Sequence, residues 1–450
     1  MRLLSTFFIF VLLLAVRANA GTPKDDKILP YPIQKYQLSN GLNVVTVPYD
    51  SPNLVSLYIV VRAGSRDEIE EGVTGFAHFF EHMMFRGTDK YSKEKYNEIL
   101  KLTGASANAN TSTDRTVYHM TGDVSRLQLM FELESDRFMN LHYSEHDFKT
   151  EAGAVKGEYT KNSASPYSQL FEDIQNTAFD KHTYKHTTMG FLKDIIDMPN
   201  QYQYSMKFFN RFYRPEYTTV IVVGDVKAEQ VNKMAEKFFG AWKHGDYVSV
   251  VPQEPVQKET RYVHIKNPNI PPMLALNYKS PAFSDKDIDM PTLDVLSTIL
   301  FSENSTLYKK LVIDEQKVRN LSGGTDNSRD PNLMNIIASL INKGDLQYVK
   351  DEITKELEKV KKEGVSPKKL ADTKSYLKYS FSMSIDNPSR IASSLAEYVA
   401  LTGDPESINK VYALYNKVTN ADIIRVANKY LVSTGLTIAT ISADEKGEVK

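Results

Sequence analysis

Two apolar, strand-like runs recur in this chain at one offset. Asn210-Arg211-Phe212-Tyr213 leads into the run 219–223, and 218 residues later Asn428-Lys429-Tyr430-Leu431 leads into 436–441. The same offset sets 55–61 against 273–279. A long, fixed offset between paired features is the mark of a duplicated unit. The chain has 450 residues, enough for two hydrophobic cores. The stretch 246–259 carries Pro252 and Pro255 with few large apolar residues, so it reads as a linker. The expected plan is a first domain over 21–245 and a second of similar fold over 260–450, facing substrate or partner.

Within the halves, strands are expected at 35–48 around an Asn40-Gly41 turn, and at 54–61, 105–110 and 116–121. Helices are expected at 74–85, 93–102, 125–138, 145–162, 290–301, 346–363, 367–381 and 408–430. The two kinds do not alternate regularly, and hairpin signals are present. This predicts an α+β fold: two similar domains, each an antiparallel or mixed β-sheet packed with α-helices. A doubly wound parallel sheet fits less well.

Residues 1–20 read as a secretory signal peptide. Arg2 supplies the charged start, 3–16 is apolar apart from Ser5 and Thr6, and Ala18-Asn19-Ala20 is a small-x-small cleavage site. Cleavage would remove Arg2 and Arg17 and no acid, leaving a formal charge of −3. No later segment offers about 18 uninterrupted apolar residues. The expected product is exported, periplasmic or secreted, with no membrane span once the signal is removed.

Composition narrows the chemistry. There are 55 Lys+Arg against 56 Asp+Glu, which gives no bulk electrostatic reason to bind nucleic acid. The densest basic stretch, 355–369, also carries Glu356, Glu358 and Glu363, as a solvated helix face does. There is no cysteine, so disulfides, thiolate metal ligands and a thiol nucleophile are excluded. A metal site here must rely on His, Asp and Glu.

The segment 75–85 meets that requirement. On a helical wheel with His78 at zero, Glu81 falls near roughly −60° and His82 near roughly +40°. Phe76, Phe79, Phe80, Met83 and Met84 fill the opposite side, between about 100° and 240°. A helix with an apolar back needs partners for such an ionisable stripe. Two His one turn apart can reach one tetrahedral metal, and Glu81 beside them can take a proton from water. This is the inverted zinc motif His-x-x-Glu-His.

The same pattern occurs at His142-Tyr143-Ser144-Glu145-His146, in a polar stretch entering a helix. A third ligand must decide between the two. The helix expected at 145–162 carries Glu151 and Glu158 within about 20° of each other but about 10.5 Å apart along its axis. One of them can join the metal, and the other is a supporting group behind the ligands or a solvated surface acid. Spacing does not say which.

These residues resemble the pitrilysin family of zinc peptidases, the inverzincins, in both bacterial two-subunit and mitochondrial processing peptidase forms. That family takes its third ligand from a Glu well after the second His. Glu158, 76 residues past His82, stands at that spacing, and the same count from His146 reaches Val222, which cannot bind metal. The resemblance therefore implies His78, His82 and Glu158 as ligands of one Zn2+ per chain. It implies Glu81 as the catalytic base and Glu151 as the supporting acid. Leu38-Ser39-Asn40-Gly41-Leu42, Ala63-Gly64-Ser65-Arg66-Asp67-Glu68, Phe85-Arg86-Gly87-Thr88 and His182-Thr183-Tyr184 extend the likeness. Asn108 and Ala109 match the strand that pairs with substrate backbone.

The family likeness implies half of a clamshell and an endopeptidase for extended peptides or unfolded segments. One departure concerns partners. Members often carry an Arg and a Tyr in the second domain to hold substrate, and here those positions are Thr306 and Arg319. This implies a homodimer, or a heterodimer with a homologous subunit that supplies the pair. The competing reading is a catalytically silent structural or chaperone-like subunit of the same fold.

Overall fold

The structure is a computed structural model that describes residues 27–447 and Val449. The expected signal peptide lies outside the described residues.

The first half builds a six-stranded sheet from β1 (Gln34–Gln37), β2 (Asn43–Pro48), β3 (Leu54–Val61), β4 (Ser106–Thr111), β5 (Thr116–Asp123) and β6 (Thr218–Gly224). Its order is β1-β2-β6-β3-β5-β4, antiparallel except for the β2–β6 pair. The second half builds five strands: β7 (Arg261–Lys266), β8 (Met273–Lys279), β9 (Val318–Thr325), β10 (Leu333–Leu340) and β11 (Leu436–Ser442). They run in the order β7-β11-β8-β10-β9, with only β7–β11 parallel. Strand for strand, this repeats β2-β6-β3-β5-β4. The faint offset in the sequence is thus a duplication of topology. The fold is α+β with two mixed sheets.

The halves are not packed independently. β3 is buried on both faces, so it reads as a continuous apolar run rather than an alternating one. Val55, Leu57, Ile59 and Val61 face a core built with helices of the first half. Tyr58 and Val60 face the other way, against Ile391, Ala392, Leu395, Ala396 and Val399. Those residues lie on helix Pro388–Thr402, which belongs to the second half. The exchange is mutual. Leu170, Ile174 and Ala178 on helix Pro166–Ala178 of the first half cover Ala275, Ala439 and Ile441 of the second sheet.

The single helix expected at 408–430 is two helices, Ser407–Lys417 and Asn420–Tyr430. Thr419 breaks it. Its side chain accepts from the Asp422 backbone N–H while Asp422 returns a bond to the Thr419 N–H, a capping box that starts a new helix. The stretch 246–259 holds neither helix nor strand.

Candidate metal centre

The helix bearing the motif spans Phe76–Met83. Phe76, Phe79, Phe80 and Met83 are fully buried, and the Phe80 ring stacks on Phe208 at 5.5 Å. Its entry is tightly built. Gly75 sits at φ +90°, where a Cβ would lie 2.5 Å from Ile195 Cδ1, so only glycine fits. Gly75 has no side chain to cap the helix. The buried Glu68 does so from upstream, accepting from the Gly75 and Ala77 N–H groups, each at 2.7 Å. Burial pushes the Glu68 carboxyl up to about 8 despite those bonds. Asp194 holds the preceding turn by accepting from the Thr74 hydroxyl at 2.7 Å.

His78 and His82 point from this helix toward helix Glu145–Ser163. His78 Nε2 lies 3.6 Å and His82 Nε2 3.4 Å from the same oxygen, Glu158 Oε2. Two ligand atoms on a tetrahedral zinc at about 2.0–2.1 Å stand roughly 3.3 Å apart. The donor set and its spacing therefore fit a zinc ion. No other cluster of three such groups occurs among the described residues.

Glu151 has a different place. Its Oε1 lies 2.9 Å from His82 Nδ1, and its Oε2 takes the fork of Arg86. A proton on Nδ1 shared with Glu151 leaves Nε2 as a free lone pair aimed at Glu158. Burial raises the Glu151 carboxyl, but bonds from His82 and Arg86 outweigh it and hold it below the usual carboxylate value. The bond to Glu151 raises His82, while desolvation lowers the more deeply buried His78. His78 Nδ1 has no hydrogen-bond partner among the described residues.

Glu81 sits half-buried beside this group. The Thr111 hydroxyl donates to its Oε2 at 2.6 Å, which fixes one oxygen and leaves the other to act. Thr111 ends β4, and β4 is the edge strand of its sheet. Asn108 and Ala109 pair with His119 and Tyr118 on β5 on one side only. The other side of β4 pairs with no strand among the described residues, which suits addition of another strand.

The remaining sequence candidates lie elsewhere. His142 is exposed and bonded to Asp89 at 3.0 Å, and His146 is exposed, so the second His-x-x-Glu-His match gathers no third ligand. Thr306 opens a one-turn helix and Arg319 lies exposed on β9. In the second half, helix Asp289–Phe301 takes the place of the helix that bears the motif. At the motif's offset it carries the buried Leu296, Ile299 and Leu300. Sequence reasoning did not single out Glu68 or the bond from Thr111 to Glu81. Glu68 lies within the segment 63–68, but a cap seven residues upstream of the helix entry has no local signature.

Comparisons with known proteins agree with this division. The family model described as Insulinase (Peptidase family M16) matches residues 44–191. The model described as Peptidase M16 inactive domain matches residues 201–377. Zinc protease PqqE of Helicobacter pylori is 28% identical over 442 residues, spanning 96% of each chain. A probable mitochondrial-processing peptidase subunit beta of Arabidopsis thaliana is 24% identical over 420 residues, spanning 90% of this chain and 77% of that one. The crystal structure of a protease from Helicobacter pylori aligns with a TM-score of 0.84 at 28% identity, covering 92% of this chain and 100% of that one.

Proposed function

From the premise that the chain belongs to the M16 peptidase family, we propose that it is a zinc-dependent endopeptidase for extended peptides. One observation carries the reading: His78 Nε2, His82 Nε2 and Glu158 Oε2 converge, with Glu81 beside them. A zinc ion held by these three residues supplies a Lewis acid, which acidifies water and polarises a carbonyl oxygen.

The chain's own groups do the rest. Glu151 orients His82 through Nδ1, and Arg86 holds Glu151. The free oxygen of Glu81 takes a proton from the attacking water and delivers it to the leaving amine nitrogen. Thr111 keeps that carboxylate in register with β4. The substrate lies along the open edge of β4 near Asn108 and Ala109, where backbone hydrogen bonds bind it with little demand on sequence. That geometry favours extended or unfolded segments.

We further infer that a second, homologous subunit closes over the site. Where the family resemblance implies an Arg and a Tyr that hold substrate, this chain has Thr306 and Arg319. The Arabidopsis relative is itself named as a subunit. In a heterodimer the homologous partner would supply the pair, whereas a homodimer would hold substrate without it. The expected place of action is outside the cytoplasm, on the strength of residues 1–20. No helix among the described residues is long and apolar enough to cross a membrane.

The test is zinc content together with hydrolysis of matched peptide and ester substrates. One zinc per chain and cleavage of peptides alone support the reading. A folded chain with zinc far below one per chain would favour a silent subunit instead.

A further inference from the structure

A hollow of about 280 Å³ opens beside the metal group, lined by Glu81, His82, Phe85, Arg86, Lys93 and Glu151. Most of its charge is already spent. Arg86 and His82 both bond to Glu151, and Glu81 holds the Thr111 hydroxyl. Lys93 is the exception. It makes no hydrogen bond or ion pair among the described residues, and the neighbouring Glu94 bonds to Ser92 instead. Lys93 is also the first residue of helix Lys93–Thr103, the end where the helix dipole disfavours a cation. A lysine there costs helix stability and gains no hydrogen-bonded or ion-paired partner among the described residues.

With a divalent ion bound, that ion, Arg86 and Lys93 outweigh Glu81, Glu151 and Glu158 by one positive charge. We propose that Lys93 reads the side chain next to the scissile bond, and that the site prefers peptides with an acidic residue there. The inference rests on the peptidase reading and deepens it. Phe85 offers an apolar wall for the methylene groups of such a side chain, and the Lys93 ammonium meets its carboxylate at the mouth. Lys93 is exposed, so the preference should have the size of a solvent-accessible ion pair, roughly fivefold.

The experiment uses quenched fluorescent peptides that differ only in carrying Glu, Gln or Lys on one or other side of the cleaved bond. Cleavage by the zinc-loaded chain is compared with Lys93→Gln and Lys93→Glu. Binding of the same peptides is read by fluorescence anisotropy on Glu81→Gln chains with and without Lys93→Glu. The expected result is a Glu-over-Lys preference of roughly fivefold in kcat/KM and in affinity. It should flatten in Lys93→Gln and invert in Lys93→Glu. A preference unchanged by Lys93→Glu, in cleavage or in binding, overturns the proposal. Binding that inverts while no peptide is cleaved by any chain supports the role of Lys93 and counts against the peptidase reading instead.

Discussion

Glu151 Oε1 lies 2.9 Å from His82 Nδ1, on the opposite side of the imidazole from Glu158, whose Oε2 lies 3.4 Å from Nε2. One ring thus separates two carboxylates that a helical wheel cannot tell apart. Each has a different task, and substitution should separate them. Glu151→Gln keeps the three converging atoms but loosens the ring, so zinc affinity should fall by about 10–100-fold. Glu158→Ala removes the proposed ligand atom, so the loss should exceed roughly 100-fold. Competition with a chromophoric chelator measures both. Equal losses would contradict the assignment.

The exchanged helices make a second prediction. Leu395 is fully buried against the sheet of the first half, although it belongs to the second. Leu395→Ala should cost about 2–5 kcal/mol. The loss should also speed amide exchange in β3, whose Tyr58 and Val60 line the same core. Cutting the chain within 246–259 should leave neither fragment folded, because each sheet would expose a face. Circular dichroism of the separate fragments checks this. A cooperatively folding fragment 27–245 would refute it.

A third prediction concerns pH. Asp330 Oδ2 lies 2.5 Å from Arg66 Nε and 3.0 Å from His182 Nε2, tying the second half to the turn that precedes Glu68. Burial raises the Asp330 carboxyl, but the bonds from His182 and Arg66 prevail and hold it well below the usual carboxylate value. A depressed acid stabilises the fold above its unfolded pKa of about 3.9 and loses that contribution as pH falls toward the folded value. Asp330→Asn should therefore cost about 2 kcal/mol at neutral pH. The gap from wild type should narrow below about pH 4. Denaturant melts at several pH values give the comparison. A gap that stays constant down to acid pH would rule out the ion pair as its source.

What the sequence made legible followed the range of the interactions. His78, Glu81 and His82 share one helix face, so their relationship is fixed by helical period and could be read directly. Glu158 needed a resemblance, because its approach depends on how two helices pack. The repeat was visible because β6 and β11 are both buried along their length and each carries apolar residues behind a similar Asn-led segment. The break at Thr419 had a local signal, Thr419 followed three residues later by Asp422, which the long apolar period around it concealed. The exchange of Pro166–Ala178 and Pro388–Thr402 left no such trace. An amphipathic helix buries its apolar face in the same pattern whichever sheet receives it. Glu68 and Thr111 were hidden for the same reason, since each acts on a segment distant in sequence.

The proposed hydrolysis turns on Glu81. The decisive measurement is hydrolysis of a quenched fluorescent peptide by the zinc-loaded chain and by Glu81→Gln, with metal content determined on both. Equal zinc in the two proteins and a fall in kcat of about 10²–10⁴-fold in the variant are expected. A Glu81→Gln chain that holds zinc and cleaves as fast as the wild type would contradict the proposed role of Glu81.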